Sequence, residues 1–214
     1  MKSTLKSTLI YAARALVRVQ ESRFKSACLH SQRVAFYALL LARELRLDEK
    51  YRKHIYLAGL LHDIGKIGIP DFILFKRGKL TAEEWEEIKR HPVFSYEILS
   101  TIPGMKEISL MVLHHHERYD GTGYPVGLAA QNIPLGARIL AVADSFDAMT
   151  SERVYRPFPL SREEAMNEMH CCAGGQFDPL LVEVFSRLVG RGETDLSLHE
   201  REFTTNFNPE SGRI

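Results

Sequence analysis

Long apolar runs, an excess of charge of either sign and a paired-cysteine pattern are all missing from this sequence, and each absence removes a class of protein. Nowhere do about 18 apolar residues follow one another, the length a membrane-spanning helix needs. The start, Met1-Lys2-Ser3-Thr4-Leu5-Lys6, has neither the apolar run nor the small-residue cleavage site of a secretory signal. The expectation is a cytoplasmic protein with no membrane span. Lysine and arginine number 28 against 27 acidic residues, a formal net charge of +1, so no overall field draws duplex nucleic acid or anionic lipid. If this chain handles phosphates, it must do so locally. The three cysteines, Cys28, Cys171 and Cys172, are odd in number, two are adjacent, and none has CxxC spacing. That excludes a disulfide framework and a cysteine zinc site, and fits small buried hydrophobes in a reducing compartment. Internal repeats and low-complexity tracts are missing too.

What is present is ordinary for one globular domain: 214 residues, 45% hydrophobic and 26% charged. Apolar residues recur at three and four rather than at two, so the expected fold class is all-α. Helices are predicted from about Thr4 to Val19 and from Phe24 to Leu45, with His30 on the second. A third, capped by Asp48, runs to His62-Asp63. Pro70 to Leu80 reads as loop or short turns. The capping box Thr81-Ala-Glu-Glu84 opens a helix toward Ile102, which Pro92 should kink or break just before itself, with His91 at the bend. The next helix ends in His114-His115-His116 and runs into a loop with Gly121, Gly123 and Pro125. The segment from Leu135 to beyond Met149 has almost no polar face and should be the central buried helix, carrying Asp144 and Asp147. Ser161-Arg-Glu-Glu164 is a second capping box, opening a helix to about Cys171. Asp178-Pro179 starts the last helix. Three regions follow: 1–22, a helix that completes the domain or serves as a dimerisation arm; 23–190, the main domain; and 191–214, a polar, loosely ordered tail.

Imidazoles and carboxylates fall at helix ends or in apolar surroundings at His30, His62, Asp63, His91, His115, His116 and Asp144. Singly each has a bland explanation. His30 suits a satisfied core histidine, Asp144 a core carboxylate bonded to a helix end, and the histidine run a solvated helix terminus. Taken together, buried carboxylates among neutral imidazoles are most economically explained by shared metal. A nitrogen and oxygen set with five imidazoles favours first-row metals, iron and manganese first, over magnesium.

Leu61-His62-Asp63-Ile64-Gly65-Lys66-Ile67-Gly68-Ile69-Pro70 and His115-His116-Glu117-Arg118-Tyr119-Asp120-Gly121-Thr122-Gly123-Tyr124-Pro125 resemble the two signatures of the HD-GYP domain, a subgroup of the HD metal-dependent phosphohydrolases. The likeness continues through His30-Ser-Gln-Arg33, His91-Pro92, Ile133 to Ile139, Ala143 to Ser151 and Gly175 to Pro179. It implies an all-helical HD-type bundle hydrolysing the bacterial second messenger cyclic di-GMP to pGpG, with further cleavage to GMP left open. It further implies that His30, His62, Asp63 and Asp144 surround one metal and that His91, His115 and His116 hold a second, with Asp63 bridging. Lys66 matches the lysine at the scissile phosphate, and Arg153 and Arg156 match basic positions that grip the dinucleotide. His114 falls outside the pattern. Some relatives hold a third metal through a glutamate where this chain has Ser26, so two ions are expected. Two metals about 3.5–4 Å apart generate the hydroxide and neutralise phosphoryl charge, which suits a chain offering no convincing protein nucleophile.

Tyr124 is a candidate for stacking on guanine; otherwise its loop is a structural turn in which glycines supply positive φ. Three readings stay open: a cyclic di-GMP phosphodiesterase, a hydrolase of another cyclic dinucleotide or nucleotide phosphate, and a non-catalytic binding or scaffold module. A homodimer or a signalling-protein partner belongs to any of them.

Overall fold

The computed structural model describes residues 2–23, 25–152 and 158–195, and side chains within them except at 2–8, 10 and 25–28. Ten α-helices form among these residues: α1 (Lys2–Arg23), α2 (Lys25–Glu44), α3 (Glu49–Leu61), α4 (Asp71–Leu74), α5 (Ala82–Ile88), α6 (His91–Ser100), α7 (Lys106–Leu113), α8 (Leu135–Thr150), α9 (Arg162–Cys171) and α10 (Pro179–Gly190). Short 3-10 helices cover Ile64–Gly68 and Ala130–Asn132. The architecture is the all-α bundle expected. Among the described residues no helix is long and apolar enough to cross a membrane.

Local chemistry sets most of the boundaries. Asp48 accepts from the Tyr51 amide at the start of α3. Thr81 and Ser161 form complete capping boxes with Glu84 and Glu164, and Asp178 caps α10 just before Pro179. Each cap satisfies amides that the first helical turn leaves without partners. The helix expected from Thr81 divides at Lys89-Arg90, and Pro92 sits in the first turn of α6, where its missing N–H costs nothing.

The first helix is longer than the predicted Thr4 to Val19. Gln20 is buried and donates through Nε2 to Ser31 Oγ at 3.1 Å, so a polar contact, invisible to apolar periodicity, carries α1 onward to Arg23. Ala13 and Val17 of α1 lie in the same core as α2 and α3. The start of the polar segment after α10 is also engaged. Thr194 is fully buried, and the Arg191 guanidinium meets Glu44 at 3.0 Å. The loosely ordered tail was expected over 191–214, and residues 196–214 of it lie outside the described residues.

At the centre, α8 buries Ile139, Leu140, Val142, Ala143 and Phe146. Phe146 meets Tyr37 of α2 and Phe185 of α10 edge to face, with ring centroids 5.3 and 5.0 Å apart. Such pairs add about 0.5–1.5 kcal/mol beyond the area they bury. Helix α3 approaches α2 so closely at Gly59 that a Cβ there would fall 2.5 Å from Ala35 Cα. That contact places the end of α3, which carries His62 and Asp63, beside His30. Gly59→Ala should therefore lower stability by about 1–3 kcal/mol, despite alanine's better helix propensity. Urea unfolding with an unchanged m-value checks it, and an equal or higher midpoint would refute it.

Candidate metal centre

Three helices of the bundle stop in the same way. The last turn of an α-helix leaves carbonyls without partners, and in α3, α5 and α7 a histidine just past the end closes one of them. His62 Nδ1 donates to Gly59 O at 2.7 Å, His91 Nδ1 to Ile88 O at 2.7 Å, and His115 Nδ1 to Val112 O at 2.6 Å. A carbonyl can only accept, so the ring proton sits on Nδ1 and the Nε2 lone pair faces away from the helix. All three Nε2 atoms are buried without a hydrogen-bond partner. Buried polar atoms are normally satisfied; three unsatisfied lone pairs in one place call for an electron-pair acceptor.

The other expected residues converge on the same place. Asp63 follows His62 at the start of the 3-10 helix, with Oδ2 3.5 Å from His62 Nε2 and Oδ1 3.4 Å from His91 Nε2. Lys66, three residues on, donates to Asp63 Oδ2 at 2.7 Å. From α2, His30 lies with Nε2 3.1 Å from Asp144 Oδ1 of α8. The His116 ring packs between His115 and Tyr124, with centroids 3.9 and 5.0 Å away. Three sets of donor atoms each lie within 4.8 Å of one another: His30, His62 and Asp144; His91, His115 and His116; and His62, Asp63 and His115. The third set shares one residue with each of the others, so Asp63 lies between two pockets of ligands. An all-nitrogen and oxygen set with free lone pairs suits a divalent metal.

Electrostatics keep these donors ready. Burial pushes His91 down to about 3 and His116 to about 4, and His115 well below its ordinary range, so all three are neutral near pH 7. Burial alone would raise Asp63, but Lys66 and the surrounding imidazoles hold it well below the usual carboxylate range. Asp144 is held down in the same way against burial, chiefly by His30. His30 goes the other way: burial opposes its charge, yet hydrogen bonds to Asp144 and Asp147 raise it to about 9.

Several residues with no assigned role in the sequence reading belong to this arrangement. Asp147, fully buried, meets His30 Nδ1 at 2.6 Å, takes a two-pronged contact from Arg33, and accepts from Ser151 at 3.1 Å. Its position three residues after Asp144 in an apolar helix was the available signal. Glu117 is buried and accepts the backbone amides of Val126, Gly127 and Leu128 at 2.9, 3.0 and 3.1 Å. In the sequence it stands within the second signature with no role of its own assigned. His114 is buried 3.4 Å from Glu117 and enters none of the three ligand sets.

The loop after His116 is built differently from the expectation that its glycines supply positive φ. Gly121 does so, at φ 83°. Gly123 has no positive φ; a Cβ there would fall 2.2 Å from Arg118 N, so close backbone approach requires the glycine. Tyr124 N donates to His116 O at 3.2 Å, and the loop is tied to the segment before α10 by Tyr119 N to Gln176 O and Asp120 N to Gly175 O. Lys89 Nζ stands 5.8 Å over the Tyr124 ring. Arg153 and Arg156 lie outside the described residues, and so does the side chain of Ser26.

The chain matches the HD domain family over residues 14–181 and belongs to it. A cyclic di-GMP phosphodiesterase of Thermotoga maritima is 43% identical over 182 residues, covering 84% of this chain and 49% of that protein. The 3'3'-cGAMP-specific phosphodiesterase 1 of Vibrio cholerae is 40% identical over 176 residues, 82% of this chain and 41% of that one. The crystal structure of the V. cholerae cyclic GMP-AMP specific phosphodiesterase V-cGAP3 superposes with a TM-score of 0.68 at 19% identity, over 97% of this chain and 55% of that chain, a likeness of fold. The chain spans about half, or less, of the length of these curated relatives. The HD-GYP resemblance read from the two signatures agrees with them.

Nitrogen-15 spectra of the metal-free protein should show His62, His91 and His115 as Nδ1–H tautomers, the reverse of the form common in water. His91 and His116 should stay neutral down to pH 5. Because their folded values lie below the ordinary 6.5, they remove stability as pH falls below about 6.5. His30 does the opposite, its contribution fading as pH rises from 6.5 toward 9. Nε2–H tautomers at all three positions would refute the geometry. Glu117→Ala should strip partners from three loop amides, cost about 1–3 kcal/mol and speed hydrogen exchange at Val126, Gly127 and Leu128; unchanged exchange would refute the loop's dependence on it.

Proposed function

We propose that this chain is the catalytic HD-GYP part of a metal-dependent phosphodiesterase that opens cyclic di-GMP to pGpG. The observation that carries the reading is the convergence of three partnerless Nε2 lone pairs around the carboxylate of Asp63. In this reading His30, His62, Asp63 and Asp144 hold one divalent ion, His91, His115 and His116 hold another, and Asp63 serves both. The imidazole-rich donor set and serine at position 26 support two ions, with iron or manganese the metals proposed. Such a pair supplies hydroxide at neutral pH and offsets negative charge on the phosphoryl group.

The chain's own groups do the rest. Opening the ring to a 5'-phosphorylated dinucleotide consumes one water: its oxygen bonds to phosphorus as the bond from phosphorus to the 3' oxygen breaks, and the leaving 3' oxygen takes one of the water's protons. Lys66, a compact point charge beside Asp63, is placed to stabilise the phosphate oxygens. Arg153 and Arg156 are proposed to grip the second phosphate through forked hydrogen bonds. Tyr124 braces the His116 ring and, with Lys89, forms a wall against which guanine can stack. The relatives named for 3'3'-cGAMP favour one second reading, a hydrolase of that mixed dinucleotide.

Metal-loaded, reduced protein given cyclic di-GMP and 3'3'-cGAMP in parallel should release pGpG faster than the mixed product when followed by chromatography. The opposite preference would move the substrate to 3'3'-cGAMP, and binding without turnover would leave a scaffold. Asp63→Ala should keep the helical circular-dichroism signal while lowering kcat/KM by about a thousandfold or more, roughly 4 kcal/mol of transition-state stabilisation. Wild-type turnover in that variant would refute the assignment. Metal analysis of anaerobically purified protein should give two ions per chain, and three would overturn the binuclear assignment.

A further inference from the structure

Ser95 is fully buried in α6, one turn after His91 and on the same face. Its hydroxyl is used in both directions: Oγ accepts from Gly65 N at 2.8 Å and donates to His62 O at 3.0 Å. These two backbone groups bracket Asp63, since the His62 carbonyl belongs to the peptide entering Asp63 and the Gly65 amide lies just beyond it. One side chain of α6 thus grips the short segment that carries Asp63 and Lys66. The two segments touch without slack, because a Cβ on Gly65 would fall 2.1 Å from His91 O and 2.4 Å from Ser95 N. Asp63 Oδ1 stands 3.4 Å from His91 Nε2 across that seam.

We infer that Ser95 is a positioning residue that sets the spacing between the two halves of the metal centre, by clamping the backbone around Asp63 to the helix that carries His91. The inference rests on the two-ion reading above. Its physical basis is local. Removing the hydroxyl leaves a buried amide and a buried carbonyl short of a partner, so the seam relaxes where Asp63 and His91 face each other. The set formed by His30, His62 and Asp144 meets that seam only at the His62 carbonyl, while the His62 ring stays tied to Gly59 O of α3 and the other two ligands come from α2 and α8.

The test is titration of metal-free protein with Mn2+, followed by calorimetry and by electron paramagnetic resonance, in wild type, Ser95→Ala and Ser95→Thr. Wild type should take up two ions and give the signal of a coupled pair. Ser95→Ala should bind its first ion within about twofold of wild type. Its second should bind about 10–100-fold more weakly, the usual effect of removing a group that orients metal-binding residues, with isolated-ion resonance replacing the pair. Ser95→Thr, which keeps the hydroxyl, should recover much of the second affinity; if Ser95→Ala does not fold, Ser95→Cys, close in size but a weak hydrogen-bonder, reads the same difference. Two wild-type affinities with an intact pair signal in the hydroxyl-free variant overturn the inference, as does equal weakening of both ions, which marks a merely structural role. A wild-type protein that binds no pair overturns the two-ion reading itself, whatever Ser95 does.

Discussion

The hydrogen bond from a histidine Nδ1 to the carbonyl three residues before it is the interaction on which the site depends. It occurs at the ends of α3, α5 and α7. At each it solves a problem of helix termination, an exposed carbonyl at the edge of a buried region. In solving it, the bond fixes the ring's orientation, its tautomer and the direction of its free lone pair. At His91 and His115 burial then withholds the proton that would otherwise occupy that lone pair. A fold requirement and a chemical requirement are met by the same atoms.

The rest of the molecule brings those helix ends together and balances them. Close backbone approaches at Gly59 and Gly65 leave no room for side chains between the elements that carry His30, His62 and His91. Carboxylates fill the remaining positions, each already engaged: Asp63 by Lys66, Asp144 by His30, and Asp147 by His30, Arg33 and Ser151. None is a buried charge without compensation, which would cost several kcal/mol. The apolar packing of α8 against Tyr37 and Phe185 holds this polar centre against the core.

What the sequence made legible was local. Caps at Asp48, Thr81, Ser161 and Asp178, the break before Pro92 and the buried face of α8 are written in residues within one turn of where they act. The ligand constellation was legible because its residue types are rare in apolar surroundings and their register against the Gly-Tyr-Pro stretch set His114 apart from His115 and His116. Glu117, Asp147 and Ser95 were harder, because what matters about them is a partner dozens of residues away or a loop folded back on itself. Gly123 shows the same limit. Its identity suggested positive φ, while its reason is a neighbouring peptide that only the folded chain brings near.

Because His62, His91 and His115 each close the end of a helix, α3, α5 and α7 in turn, they serve folding whether or not anything is ever hydrolysed. A descendant of this chain that had lost its chemistry and kept only a binding or scaffolding task would still be under pressure to retain all three. Their persistence is therefore poor testimony of activity. Asp63, set among imidazoles with Lys66 for company, and His116, held by ring packing against Tyr124, carry less of the structural load and would be free to drift first. Decay in this lineage would be read there, at positions where the protein needs a reaction more than it needs a helix end.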